Sequence, residues 1–255
     1  MTEAPPSHKI RLDRLLILRG LAAGREQARS LITAGDVLVN GFPVSKAGAL
    51  VPAAASISLK ALPQPYVSRG GLKLAAALDH FHLNVTGLVA LDVGISTGGF
   101  TDCLLQRGVR QVYGVDVGYG QLAWQLRQDP RVILLERTNI RHLPTEAIPE
   151  KVDLAVVDVS FISLKLVLPR LLLFLKPGAR LLALIKPQFE VGKGKVGKGG
   201  VVREEDLRQQ VLTEMHSFAQ SLGLTVHGVL PSPILGPKGN QEYLLLCQIK
   251  SDEVL

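Results

Sequence analysis

The hydrophobic positions of this chain change their period near residue 70. Between residues 9 and 35 they follow helical spacing. Ile10, Leu12, Leu15, Leu16 and Leu18 share one face, and Arg11, Arg14 and Arg19 fall at spacings that can share the other. Gly20 and Gly24 interrupt the pattern, which predicts two short helices, the second over 25–34. Gly35-Asp36 then turns into a strand at 37–39, and Asn40-Gly41 is a strong hairpin signal. Further strands are expected at 42–44 and 57–59. From residue 71 onward, helical and buried-strand patterns alternate. Helices are predicted at 72–81, 100–107, 163–175 and 204–222. Strands are predicted at 89–93, 111–117, 132–136, 154–158, 180–185 and 243–249, with Lys176-Pro177-Gly178 closing the third helix. Such alternation implies an α/β fold with a mostly parallel, doubly wound sheet covered on both faces. Ala61-Leu62-Pro63-Gln64-Pro65 separates the two patterns, and its prolines disfavour helix and give a semi-rigid spacer. The expected division is a small α+β domain over 1–62, a linker over 63–67 and a large α/β domain over 68–255.

Composition supports two folded parts. The chain has 255 residues, 47% of them hydrophobic, with a mean hydropathy of +0.24, enough to build a core and exclude global disorder. The net charge of +7 is unevenly spread. Residues 1–62 hold 8 Lys and Arg against 4 Asp and Glu, while the remaining 193 hold 21 against 18. The small domain is therefore the candidate for a polyanionic partner. Cys103 and Cys247 stand alone in apolar runs, which points to packing thiols rather than a zinc site or a nucleophile. No metal is expected. The first eight residues lack the pattern of a signal peptide, and the most apolar stretch, 164–175, is broken by Lys165, Pro169 and Arg170. A cytoplasmic protein without a membrane partner is the expectation; nothing in the sequence sets an oligomeric state.

Two groups of residues carry chemistry. The first is the loop from Asp92 to Gly99, with Gly94, Ser96, Thr97 and Gly98 inside it. It lies between a strand and a helix, where a doubly wound sheet binds nucleotides. Its spacing, D-x-G-x-x-x-G-G, is not the G-x-G-x-x-G of a dinucleotide site. The acid that opens it fits the S-adenosylmethionine loop of class I methyltransferases better. Asp116 ends the next strand, where an acid can accept both ribose hydroxyls of an adenosyl group. The second group is Lys73, Asp158, Lys186 and Glu242, each in a short motif that presents it. Two lysines and two carboxylates on one site can hold, orient and deprotonate a sugar hydroxyl. Between them, the 191–203 segment sets Lys193, Lys195, Lys198 and Arg203 among glycines, where it could close over RNA phosphate.

The N-terminal part resembles the S4 RNA-binding domain through Arg11-Leu12-Asp13, Gly24-Arg25-x-x-Ala28, Ile32-x-x-Gly35-x-Val37-x-Val39-Asn40-Gly41 and Lys46. The resemblance implies RNA contacts from Arg11, Arg14, Arg25, Arg29 and Lys46. The larger part resembles RNA 2′-O-methyltransferases of the FtsJ/RrmJ class, and the whole chain resembles the TlyA family, whose members are often labelled hemolysins. The stretches that carry this run from Val67 to Leu74, through the Asp92–Gly99 loop, and include Asp158-Val159-Ser160-Phe161-Ile162-Ser163-Leu164, Lys186-Pro187-Gln188-Phe189-Glu190 and Gly236-Pro237-Lys238-Gly239-Asn240-Gln241-Glu242-Tyr243. The resemblance implies a class I, Rossmann-like fold, S-adenosyl-L-methionine as cofactor and a Lys73-Asp158-Lys186-Glu242 tetrad. Lys186 would act as base or alkoxide stabiliser, Asp158 would orient it, and Lys73 and Glu242 would fix the ribose and the second lysine. It also implies an adenine contact near Asn139 and a substrate of cytidines in ribosomal RNA, reached on ribosomal subunits. Ile95 departs from the pattern, which has a small residue there, so a narrowed cofactor loop is expected. Four rivals remain at this point: a base methyltransferase, disfavoured because Asp158-Val159-Ser160-Phe161 lacks the prolines usual there; a nicotinamide oxidoreductase; a membrane-active cytolysin; and an RNA-binding module on an inactive methyltransferase fold.

Overall fold

The computed structural model describes residues 9–22, 24–33, 35–59, 65–192, 196–197, 199–236 and 238–251. Lys193, Lys195 and Lys198 lie outside them, as do residues 60–64, which include positions 63 and 64 of the expected linker. The chain divides into two compact units between Gln64 and Pro65.

The first unit begins with strand β1 (Lys9–Arg11), followed by helices α1 (Leu12–Leu18) and α2 (Arg25–Thr33). Strands β2 (Val37–Val39), β3 (Phe42–Pro43), β4 (Leu50–Pro52) and β5 (Ile57–Leu59) complete it. Asn40 and Gly41 both take positive φ, 51° and 83°, as a two-residue hairpin turn between β2 and β3 requires. The opening of the first predicted helix is instead extended, because Lys9–Arg11 pairs antiparallel with β4, a strand the pattern does not announce. Leu12, Leu15, Leu16, Ala28, Ile32 and Val37 form the core of this unit.

The second unit starts on α3 (Gly70–His80) and strand β6 (Val89–Val93), then α4 (Gly99–Gln106), β7 (Gln111–Val115), α5 (Trp124–Arg127) and β8 (Val132–Leu135). It continues through β9 (Val152–Val157), α6 (Leu168–Leu171), β10 (Leu175–Ile185), α7 (Pro187–Glu190), α8 (Glu205–Ser221), β11 (Leu224–Pro231) and β12 (Tyr243–Ile249). The strands form one seven-stranded sheet in the order β11-β12-β10-β9-β6-β7-β8. The pairs among β10, β9, β6, β7 and β8 are parallel, and β12 runs antiparallel to both its neighbours. All five residues of β6 are buried, since helices cover both faces. Leu91, Val93, Ala155 and Val157 pack on one face with Val211, Met215 and Ala219 of α8. Ala90, Leu154 and Val156 pack on the other with Leu74 and Leu78 of α3 and Leu104 of α4.

The helix expected over 163–175 is not one helix. It is a 3-10 turn (Leu164–Leu166), α6 and a second 3-10 turn (Leu172–Phe174). Pro169 sits in the first turn of α6, where its missing N–H costs nothing, so it starts a helix and does not extend one. Lys176-Pro177-Gly178 lies inside β10 as a bulge, with a register shift between Leu175 and Arg180 against β9. Residues 65–67, placed in the linker on sequence grounds, are tied to α4. The Val67 N–H donates to Asp102 at 2.8 Å, and Gln106 donates to the Pro65 carbonyl at 3.0 Å.

Candidate active site

From β6 the chain moves outward to β7 and β8, then crosses back to β9 and β10 on the other side. The loops leaving β6 and β9 therefore diverge, and a crevice opens at their carboxyl ends. The two strand ends stay tied, with the Asp158 N–H donating to the Val93 carbonyl at 2.9 Å. Gly94 sits against this tie with φ of 85°, and a side chain there would run into the Asp158 carbonyl. Gly98, φ 94°, has no room for one either, because Leu122 and Leu126 close over it. Gly94 and Gly98 thus leave bare backbone at two points of the loop, which is what close approach of a ligand needs.

A cleft of about 570 Å³ follows this loop. Gly94, Ser96, Asp116, Asn139 and the turn from Asp158 to Ile162 line it. Asp116 accepts N–H bonds from Ser96 at 2.8 Å and from Gly118 at 2.7 Å, one on each carboxylate oxygen. Each oxygen keeps a lone pair for a hydroxyl. Asn139 caps the 3-10 turn Ile140–His142 by accepting from the Arg141 N–H at 3.1 Å. Asp92 does not reach the cleft. It is fully buried under the loop, accepts from Thr101 Oγ1 at 2.6 Å, and its other oxygen has no partner. Burial, with Asp158 and Asp116 nearby, pushes its carboxyl up to about 7 despite the Thr101 hydrogen bond. Ile95 turns away from the cofactor side. It is 4% exposed, and its Cδ1 fills the space left by Gly114 on β7, so the expected narrowing of the loop is not seen.

A second pocket of about 210 Å³ adjoins the first. Ser68, Arg69, Gly70, Lys73, Thr97, Gly99 and Lys186 line it, and Gly94, Ser96, Asp158 and Ser160 border both. Topology brings the four predicted side chains here. Asp158 and Lys186 leave the carboxyl ends of the neighbouring parallel strands β9 and β10. Glu242 precedes β12, whose reversed direction sets Tyr243 opposite Ile185 and so brings its amino end to the same edge. Lys73 comes from the first turn of α3. They form two pairs. Lys186 Nζ lies 2.7 Å from Asp158 Oδ1, with side chains 10% and 23% exposed. Lys73 Nζ lies 2.5 Å from Glu242 Oε2, with side chains 8% and 1% exposed. Lys73, Asp158 and Lys186 face the pocket, whereas Glu242 stands behind Lys73, packed under Gly236.

Three polar residues that sequence reasoning did not assign also shape the site. Ser160 Oγ accepts from Lys186 Nζ at 2.8 Å. Glu190 accepts from Ser163 Oγ at 2.6 Å and from the Leu164 N–H at 2.8 Å. Asn240, 3% exposed, accepts from the Val202 N–H at 2.9 Å and donates to the Gly200 carbonyl at 2.8 Å. All three sit in motifs quoted for the resemblance, and that membership was the available signal. Both cysteines are buried, and burial raises their thiols, Cys247 to about 12, which leaves them unreactive. Among the described residues, no group of three or more His, Cys, Asp or Glu is placed to hold a metal ion.

In the first unit, Arg14, Arg25, Arg29 and Lys46 are exposed. Arg11 is exposed too, but its guanidinium forks onto Asp13 through bonds of 3.0 and 2.7 Å, which raises the guanidinium and lowers the carboxyl.

The sheet order, the bare glycine loop and the acid on the next strand define a class I S-adenosylmethionine-dependent methyltransferase. The model of the FtsJ-like methyltransferases matches residues 66–248, and the chain belongs to that family. It is 48% identical over 250 residues to the 16S/23S rRNA (cytidine-2′-O)-methyltransferase TlyA of Mycobacterium tuberculosis, covering 98% of this chain and 93% of that one. It is also 39% identical to Hemolysin A of Brachyspira hyodysenteriae, covering 92% of this chain and 98% of that one. A solved structure of a candidate hemolysin from Streptococcus thermophilus superposes with a TM-score of 0.73 at 42% identity, over 97% of this chain and 92% of that one.

Proposed function

We propose that this chain methylates the 2′-hydroxyl of cytidine ribose in ribosomal RNA, acting on ribosomal subunits in the cytoplasm. The observation that carries this reading is the Lys186–Asp158 pair, set where the cofactor cleft and the smaller pocket meet. Bound S-adenosylmethionine supplies an electrophilic methyl group on a good leaving group. The protein's own residues must then bring a hydroxyl oxygen into line and remove its proton. Lys186 faces the pocket and serves as base or as cation beside the developing alkoxide, and Asp158 orients it. Lys73, held by Glu242, fixes the ribose. Gly94, Ser96, Thr97, Gly98 and Gly99 give backbone to the cofactor, Asp116 takes its ribose hydroxyls and Asn139 lies along the adenine side.

Phe161 adds a feature suited to a nucleotide. It is 89% exposed at the edge of the cleft, with φ of 64° and its ring centroid 5.2 Å from that of Phe189. An exposed ring held in a strained backbone is a surface on which an unstacked base can lie. The N-terminal unit, S4-like in its motifs, docks the RNA through the exposed cations Arg14, Arg25, Arg29 and Lys46, with Arg11 released from Asp13 on binding. The relative named Hemolysin A matches nearly the whole chain, and among the described residues no helix is long and apolar enough to cross a membrane. The test is to incubate ribosomal subunits with the full chain and methyl-labelled S-adenosylmethionine and to map the label. Label at discrete cytidines supports the reading, and unlabelled RNA contradicts it.

A further inference from the structure

A protonated lysine has three N–H donors arranged tetrahedrally about nitrogen. Lys186 Nζ has two protein partners, a hydrogen bond to Ser160 Oγ at 2.8 Å and an ion pair with Asp158 Oδ1 at 2.7 Å, an oxygen that itself accepts no hydrogen bond. Asp158 alone would leave Nζ free to swing about its own side chain. The hydrogen bond to Ser160 fixes one N–H of the ion-paired Nζ and leaves the remaining positions, N–H or lone pair, for a ligand. We infer that Ser160 is a positioning residue of the methyl transfer, the hydrogen-bonding anchor that orients the ion-paired Lys186 Nζ toward the acceptor oxygen. This rests on the ribose-methylation reading above.

Ser160 is itself held in place from both sides. Upstream, the Asp158 N–H is bonded to Val93 at 2.9 Å. Downstream, Glu190 takes the Ser163 hydroxyl at 2.6 Å and the Leu164 N–H at 2.8 Å. Glu190 ends α7, the short helix for which Lys186 is the N-terminal cap residue. The loop that presents Ser160 and the segment that presents Lys186 are thus latched together, so the distance between the two side chains is set by the fold. Ser160 borders both clefts, beside the point where methyl and hydroxyl must meet. It is exposed, so deleting its hydroxyl leaves no cavity in the core.

The test compares the full chain with Ser160→Ala and Ser160→Thr. With S-adenosylmethionine saturating and ribosomal subunits as acceptor, Ser160→Ala should lower kcat by roughly 10- to 100-fold, the scale of a small misplacement of a reacting group. KM for the subunits and calorimetric affinity for S-adenosylmethionine should stay at parental values, and Ser160→Thr should recover most of kcat. In parallel, the Lys186 ammonium is followed by NMR in lysine-labelled protein without RNA, assigned by its loss in Lys186→Ala. Its exchange with water should be slow in the parent and in Ser160→Thr and fast in Ser160→Ala. Parental kcat in Ser160→Ala, a loss confined to KM or cofactor affinity, a threonine variant as slow as the alanine one, or unchanged ammonium exchange would each overturn the inference. The exchange measurement needs no substrate, so it decides the role of Ser160 even if the parent fails to methylate ribose, the outcome that would instead sink the functional reading.

Discussion

The two lysine–carboxylate pairs of the site share a chemistry and differ in surroundings. Lys73–Glu242 is closed off, its carboxylate 1% exposed and its partners 169 positions apart in the chain. Lys186–Asp158 opens onto both the cofactor cleft and the acceptor pocket, its carboxylate 23% exposed. A buried pair is costly to assemble and costlier to break, since either partner alone is an uncompensated charge in the interior. A pair at a cleft can exchange its partner for a substrate atom. On the proposed reading Lys186–Asp158 carries the reaction, while Glu242 holds Lys73 at the pocket and ties the start of β12 to α3.

The largest effect that would break this comparison is on turnover. Lys186→Ala should lower single-turnover methyl transfer by about 10²- to 10⁴-fold, the range for loss of a positioned acid or base. Calorimetry should find S-adenosylmethionine affinity close to parental, because Lys186 lies outside the glycine loop. Lys73→Ala should act first on stability, lowering it by about 3–5 kcal/mol in urea unfolding as Glu242 is left buried and unpaired. The double change Lys73→Met with Glu242→Leu should recover most of that loss. Lys186→Ala should cost far less stability, and an equal loss in both lysine variants would erase the distinction.

A third test uses the buried acid beneath the loop. The carboxyl of Asp92 is raised from 3.8 to about 7. A group whose folded value is raised holds its proton more tightly in the native state. Its stabilising effect is complete below about pH 4 and is lost as pH rises through 7. The shift corresponds to roughly 4 kcal/mol at about 1.4 kcal/mol per unit. Urea unfolding across pH 4 to 7 should therefore show a falling contribution that Asp92→Asn removes. A pH dependence identical in parent and variant would show that the acid is not neutral in the fold. The smallest effect expected is that of Asp116→Ala, which should weaken S-adenosylmethionine binding by roughly 1–3 kcal/mol, the cost of losing hydrogen bonds to a charged acceptor. Unchanged affinity in a titration would point the acid elsewhere.

Much of this could be read from the sequence for a physical reason. Strands of the sheet interior, such as Val89–Val93 and Tyr243–Ile249, are apolar runs interrupted only by Asp92 and Gln248, between polar or glycine-rich loops. The failures also have causes. Residues that make a turn, Lys176-Pro177-Gly178, equally make a bulge, and only the neighbouring strand β9 decides which. Leu224–Pro231 was missed because it is a half-exposed edge strand beside β12. The four charged residues were legible one motif at a time, and the resemblance implied that Asp158 orients Lys186; how Glu242 reaches Lys73 was not legible, since it depends on β12 running against the rest of the sheet. Ser160 and Glu190 were visible as letters within motifs without a role, because each acts through a contact made across 26 or 27 residues. The Arg11–Asp13 fork shows the same limit in the first unit, where a cation assigned to RNA already has an internal partner.

The central claim is that the Lys186–Asp158 pair works on a ribose oxygen. The measurement that meets it most directly is mass spectrometry of single nucleosides from ribosomal RNA after incubation with the full chain and isotope-labelled S-adenosylmethionine, with Lys186→Ala run in parallel. The account predicts labelled 2′-O-methylcytidine from the parent and none from the variant. Label on a base, or labelled 2′-O-methylcytidine from Lys186→Ala in parental yield, would contradict it.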